Sequence, residues 1–229
     1  MSNLPGAGRT LTHRSVALAD LRSIATGTGM TIGQVHLAAT AGALRRWSPA
    51  DYAGPGAHGR DVPVCVPVDT RLPGEQETAG SRIGLLRVAL PSGRSDPRRR
   101  LRKASRRLAR KKVASARIGL RAMVEDLSVS HASAALRRLG DRRVVALTVS
   151  IFRPLAPLSV LGRPVAEAVA IPWLPPGAGC FTMMSTYGKD ATFSVLVDSG
   201  VDQAEDLAAC WAEEVRELAA VYSSTTKQP

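Results

Sequence analysis

The sequence predicts an α/β domain, a mixed β-sheet flanked by helices, within residues 1–222, with 223–229 as a loose tail. Three observations carry this. Apolar residues make up 45% and charged residues 22% of 229 positions, the balance of a globular chain. The length suits one large domain or two small lobes and suffices for a sizeable core. Helical and strand periodicities follow one another without strict alternation, which favours a mixed sheet over a doubly wound one. Aromatics are only 4%, so the core must be built from Ala, Val and Leu.

Val16 to Gly27 reads as a short helix through Leu18, Leu21, Ile24 and Ala25, closed by the turn Gly27-Thr28-Gly29. Thr31 caps a stronger helix, Ile32 to Trp47, that ends before Ser48-Pro49. Ala50 to Asp61 is a Gly/Pro loop. Val62 to Val68 alternates valines as a strand does, and Arg82 to Leu90 is a second strand stopped by Pro91-Ser92-Gly93. Asp96-Pro97 starts a basic helix, with Asp as cap and Pro in the first turn. Leu101, Ala104 and Leu108 share one face; Lys111 and Lys112 interrupt the stripe, a place for a bend or break. Ser130 caps a short helix through Leu139. Val144 to Ile151 is an unbroken apolar run of strand length, expected to be buried on both faces. Arg153 to Gly162 is a Pro-rich connection, and Pro164 to Ile171 reads as a strand. Cys180 to Tyr187 and Ala191 to Val197 form a hairpin across Gly188-Lys189-Asp190. Asp202 caps the last helix, Gln203 to Tyr222, with Glu205 at the capping-box position.

The net charge of +12 is local. Eleven basic residues and one acid between Arg94 and Lys112 leave +10 there and +2 elsewhere. Arg98, Arg102, Arg106 and Arg110 recur at steps of four, a row whose mutual repulsion costs stability unless an anion lies nearby. This row is either a solvated helix face or a polyanion site. Candidates for the anion are an acidic carrier protein, anionic lipid headgroups, coenzyme A phosphates or nucleic acid. Specific nucleic-acid binding is the weakest, because no aromatic interleaves with the arginines.

Cys65, Cys180 and Cys210 lie far apart, with no CxxC pair. That argues against a disulfide framework or zinc cluster and points to a reducing cytoplasm. Met1 to Gly8 has no apolar signal core, and the run Val144 to Phe152 is far short of the ~20 residues that cross a bilayer. No nucleophile elbow, Walker loop, GxGxxG or HExxH occurs. Among His13, His36, His58 and His131, the last two sit in loop or cap contexts and His13 near an element start. His36, one turn into the Thr31 helix, is either a satisfied buried histidine or a base; no second group in the sequence is seen to orient it.

Several stretches then match one family in order. Ala19-Asp20-Leu21-Arg22-Ser23-Ile24-Ala25, Gly29 to Ala38 and Ala41-Gly42-Ala43-Leu44-Arg45-Arg46-Trp47 resemble its "iA...G.TvNDvvLA..aGALRr". Val66-Pro67-Val68-Asp69-Thr70-Arg71 resembles "VPVslR", and Gly80-Ser81-Arg82-Ile83 resembles "GNrv". Leu90-Pro91, Asp96-Pro97 and Arg100-Leu101 resemble "LP...dP..RL", Pro157-Leu158 to Gly162 the end of "SNVPGP..PLylaG", and Thr186-Tyr187-Gly188 "SYgG". The chain thus resembles the C-terminal half of the bacterial wax ester synthase/diacylglycerol acyltransferase family. The resemblance implies a single lobe of the two-lobed fold of chloramphenicol acetyltransferase and peptide-synthetase condensation domains.

It also implies a chemistry. The family's base is the second histidine of His-His-x-x-x-Asp-Gly, on the N-terminal lobe. It deprotonates an alcohol that attacks an acyl-CoA thioester in a tunnel between lobes. By resemblance, Gly33, Gln34, His36, Ser150 and Tyr187 line this lobe's side of the tunnel; if the row Arg98, Arg102, Arg106 and Arg110 is a polyanion site, it would attract the phosphates of coenzyme A or an acidic carrier protein. No cofactor or metal is expected; acyl-CoA or an acyl-carrier thioester would be substrate. The family's "ND" is Gly33-Gln34 here, "NVPGP" is Ser150-Ile151-Phe152-Arg153-Pro154, and "GN" is Gly80-Ser81. Three expectations follow. The chain is half of a split O-acyltransferase whose partner supplies the histidine lobe. Alternatively, it is a non-catalytic acyl-, lipid- or protein-binding scaffold, peripheral to a lipid surface. Or two copies self-associate, with His36 as base.

Overall fold

The computed structural model describes residues 8–54, 60–75, 77–78, 82–126, 128, 130–131, 134, 147–152, 157–174, 179–198, 203 and 205–223. The expected helix at Ser130 to Leu139 falls mostly outside them, as do His58, Asp202 and the tail beyond Ser223.

A six-stranded mixed sheet runs in the order β1-β8-β7-β4-β2-β3. Its strands are β1 (Arg9–Ala17), β2 (Val62–Asp69), β3 (Ile83–Leu90), β4 (Leu147–Phe152), β7 (Cys180–Tyr187) and β8 (Asp190–Asp198). Strand β4 pairs in parallel with both β2 and β7, and the other pairings are antiparallel. A small hairpin, β5 (Ser159–Val160) and β6 (Arg163–Pro164), stands apart.

Strand β1 is a departure from the sequence reading, which started a helix at Val16. Arg9–Ala17 instead pairs along its whole length with β8, and the helix α1 is Leu18–Thr28. The strand is an edge, and seven of its nine residues are exposed, so it carries almost no apolar alternation to read. The expected strand Pro164 to Ile171 is also corrected. After β6 the chain runs on without ladder pairing. Ala170 N–H donates to Ser185 Oγ at 3.4 Å, and Leu174 buries itself against Leu196 and Phe181. Pro164 and Pro172 cannot donate to a ladder.

Helix α2 (Ile32–Trp47) is the structural axis. Every residue from Gln34 to Leu44 is buried. A helix buried all round needs small side chains so that its neighbours can approach, and Ala38, Ala39, Ala41, Gly42 and Ala43 supply them. It packs against α1, a one-turn helix α3 (Pro49–Tyr52), α4 (Pro97–Arg107) and the last helix, α6 (Asp206–Ser223). Leu207, Ala208, Trp211, Ala212, Val215 and Leu218 form the buried stripe of α6. That helix starts at Asp206 rather than Gln203, which has φ 53° and so lies outside the helical region.

Gly42 is required where α2 meets α6, because a Cβ there would overlap the Glu214 carboxylate. That carboxylate receives the Arg100 guanidinium and Arg46 Nε at 3.2 Å. Arg100 also donates to the carbonyls of Arg94 at 2.7 Å and Ser95 at 3.1 Å. Burial outweighs both arginines and raises the Glu214 carboxyl above its ordinary value; burial likewise lowers Arg100. Pairing makes this buried charge tolerable rather than favourable.

The basic segment is two helices. Asp96 caps α4 through Arg98 N–H at 2.8 Å and Arg99 N–H at 3.3 Å. The helix ends at Leu108, and α5 (Arg110–Asp126) begins two residues later, just before the Lys111-Lys112 interruption. Its inner basic residues are paired. Arg107 reaches Asp61 at 2.7 Å and Lys103 reaches it at 3.2 Å. Burial pushes the Asp61 carboxyl up, but these two donors outweigh it and hold it below its ordinary value.

Candidate functional site

A cavity of about 680 Å³ opens between the first turns of α2, strands β2 and β3, the α4–α5 break and α5. That is within the range of small-ligand sites. Leu37, Val66, Ile83, Leu108 and Val113 make its apolar wall. Arg71, Arg110 and Arg117 face it with one acid, Asp69. Arg71 is held by Asp69 at 3.3 Å and by the Thr78 carbonyl at 3.2 Å; Arg110 and Arg117 are exposed.

The start of α2 is fixed by a capping box. Thr31 Oγ1 accepts from Gln34 N–H at 3.2 Å, and Gln34 Oε1 accepts from Thr31 N–H at 2.9 Å. Gln34 Nε2 donates to the carbonyls of Ser105 at 3.3 Å and Leu108 at 3.2 Å. One side chain therefore ties the α2 N-terminus to the α4–α5 break on the far side of the cavity.

His36 is fully buried and belongs to the cavity wall. Its Nδ1 accepts from Trp211 Nε1–H at 3.1 Å. The ring stands edge-on to Phe193 and Trp211, with centroids 5.5 and 5.7 Å away, and these two rings stack at 4.9 Å. Burial lowers its pKa to about 3, so it is neutral near pH 7. With Nδ1 accepting, the proton is on Nε2. A catalytic base needs the opposite sense, an acceptor at Nδ1–H that leaves Nε2 free to take a proton. Trp211 is thus the orienting group the sequence did not reveal, and it makes His36 a donor. Nε2 has no hydrogen-bond partner among the described residues, a condition that costs about 1–3 kcal/mol.

The cavity brings together Gly33, Gln34 and His36, three of the residues expected to line a tunnel. Tyr187 is elsewhere. Its hydroxyl donates to the Val165 carbonyl at 2.9 Å and accepts from Leu158 N–H at 3.1 Å, pinning the β5–β6 hairpin. The backbone of Ser150 sits on β4 opposite Met183, and its side chain is outside the described residues. Of the arginine row, Arg98, Arg102 and Arg106 are exposed on α4, Arg98 lying 5.9 Å above the Tyr222 ring. Arg110 belongs to α5 and to the cavity, so the helix break divides the expected continuous row. His13 is exposed on β1, and His131 Nδ1 meets Ser128 Oγ at 2.8 Å on the surface. The three cysteines are free, and burial pushes Cys180 up to about 12. Among the described residues, no group of three His, Cys, Asp or Glu could hold a metal ion, and no helix is long and apolar enough to cross a membrane. The sequence reading missed Arg71, Leu108 and Arg117 as cavity residues, since they converge only through tertiary packing.

A family model described as "WS/DGAT C-terminal domain" matches residues 79–219. A Mycobacterium tuberculosis H37Rv protein named "Probable diacyglycerol O-acyltransferase" is 28% identical over 199 residues, covering 84% of this chain and 42% of its own. A Mycobacterium bovis relative matches to the same extent. The chain therefore spans less than half the length of these relatives. Among solved structures, the wax ester synthase/diacylglycerol acyltransferase from Marinobacter aquaeolei VT8 superposes with a TM-score of 0.67 at 15% identity, covering 94% of this chain and 49% of that one. The first condensation domain of the CDA synthetase gives 0.58 at 21% identity, covering 95% and 47%. These likenesses establish the fold as one lobe of that two-lobed architecture.

Proposed function

Because the chain belongs to the WS/DGAT C-terminal domain family, we propose that it is the C-terminal lobe of an O-acyltransferase and forms one wall of an acyl-thioester site. The base would come from a lobe bearing His-His-x-x-x-Asp-Gly, a motif this sequence lacks. The observation that carries the reading is the cavity itself. It is built on the α2 segment that bears the family resemblance, and it is apolar inside with exposed arginines at its edge. An apolar wall suits an acyl chain, and the exposed cations suit the phosphates of coenzyme A or an acyl-carrier thioester.

The test is co-expression with a polypeptide carrying the histidine lobe. Stable association and transfer of an acyl group from acyl-CoA to an alcohol are expected; neither association nor transfer would sink the reading. One observation favours a second reading, a non-catalytic acyl-binding scaffold. Both ends of the Gln34 amide are spent on holding the fold, at a position where the resemblance implies a substrate-facing group. Acyl-CoA binding with no turnover beside the histidine lobe would support that alternative.

A further inference from the structure

His36 is held from one side and unengaged on the other. Trp211 Nε1–H on Nδ1 and the edges of two stacked rings fix the imidazole plane. The remaining polar atom, Nε2–H, has no partner among the described residues, is too enclosed for water to reach, and belongs to a residue of the cavity wall. Buried donors are almost always paired in folded proteins. One left unpaired just behind a cavity wall is a point of recognition for any acceptor that the wall admits.

The surroundings choose the acceptor. Arg110 and Arg117 are exposed and the half-buried Arg71 is paired with Asp69, whereas His36 and Leu37 are buried. The cavity therefore runs from a cationic mouth to a neutral, apolar inner end. A carboxylate at that end would lose its hydration and meet only a neutral donor, an expensive burial. A carbonyl oxygen loses little and gains the hydrogen bond.

We propose that His36 Nε2–H binds the carbonyl oxygen of a fatty acyl thioester at the inner end of the cavity, and so selects acyl ligands that carry this carbonyl. The inference rests on the reading of the cavity as an acyl site. No proton is transferred; His36 is a binding residue, and the neighbouring wall must open slightly to admit the oxygen.

The full chain should be titrated with a long-chain acyl-CoA and with the matching alkyl-CoA thioether, in which a methylene replaces the carbonyl. Wild type is expected to prefer the thioester by about 5- to 30-fold, the range of one buried hydrogen bond. His36→Asn keeps an amide oxygen for Trp211 but is too short to place a donor where Nε2 stands. Its preference should fall to near unity. His36→Gln, whose amide nitrogen reaches that position, should restore part of the preference. An unchanged ratio in His36→Asn overturns the proposal and leaves the acyl-site reading standing. Failure of wild type to bind either compound sinks both. Nitrogen-15 spectra of the wild-type imidazole give a check that needs no variant to fold: an Nε2–H tautomer is expected, and an Nδ1–H tautomer overturns the proposal.

Discussion

Two buried polar side chains on facing helices, Glu214 and His36, were solved by the fold in opposite ways. Glu214 has both carboxylate oxygens engaged, one by Arg100 and one by Arg46, and it locks α6 to α2 and α4. His36 has one nitrogen engaged by Trp211 and, among the described residues, no partner for the other. Both pay a desolvation cost, which raises the carboxyl and lowers the imidazole. The lesson is in what remains. A buried charge with both oxygens engaged holds helices together and has little to offer a ligand. A neutral ring with one donor unspent, at the wall of a cavity, contributes less to the lock and more to recognition.

Removing the carboxylate should have the largest effect. Glu214→Ala leaves the Arg100 guanidinium, 3% exposed, without its counter-charge. A loss of about 3–5 kcal/mol is expected in urea unfolding. Arg100→Met combined with Glu214→Leu removes both charges and should recover most of it. A single-variant loss below about 1 kcal/mol would show that the cluster is not a lock.

Acid probes the other side. An unfolded histidine takes a proton below its ordinary 6.5, while folded His36 resists protonation down to about 3. Between these values acid favours the unfolded chain, so stability is lost as pH falls, by up to about 1.4 kcal/mol per pH unit. Glu214, raised by burial, works in the opposite direction. The readout is therefore the difference in slope between wild type and His36→Phe from pH 6 to 4.5. Equal slopes would mean that His36 takes its proton in the folded state.

Much of the fold could be read from local chemistry. Thr31 and Asp96 are side chains that cap their own helices, and the valines of β2 alternate as a strand should. The β7–β8 hairpin followed from its turn residues. What could not be read depended on distant partners. Strand β1 exists because β8 offers it an edge, and its polar surface gives no periodic signal. The α4–α5 break falls where Gln34 reaches across to the Leu108 carbonyl, some 70 residues away in sequence. At the site, Gly33, Gln34 and His36 were legible as neighbours on one helix. The sense of the His36 hydrogen bond was not, because it is set by Trp211, which α6 brings in from 175 residues away.

Gln34 lies between the two extremes, and its substitution should have the smallest effect. Its amide is fully used, as the Glu214 carboxylate is, yet it borders the cavity, as His36 does. Gln34→Ala removes one half of the capping box and both donors to the α4 C-terminus. About 0.5–2 kcal/mol of stability should be lost. Gln34→Glu separates the two roles. Its carboxylate can still accept from Thr31 N–H and suits a helix N-terminus, but it cannot donate to the Ser105 and Leu108 carbonyls and faces their oxygens instead. If the brace matters, Gln34→Glu will be as unstable as Gln34→Ala, and amide exchange will quicken around Leu108 to Val113 in both variants. If Gln34→Glu matches wild type in unfolding and exchange, the cap alone accounts for Gln34. The far wall of the cavity would then stand without it.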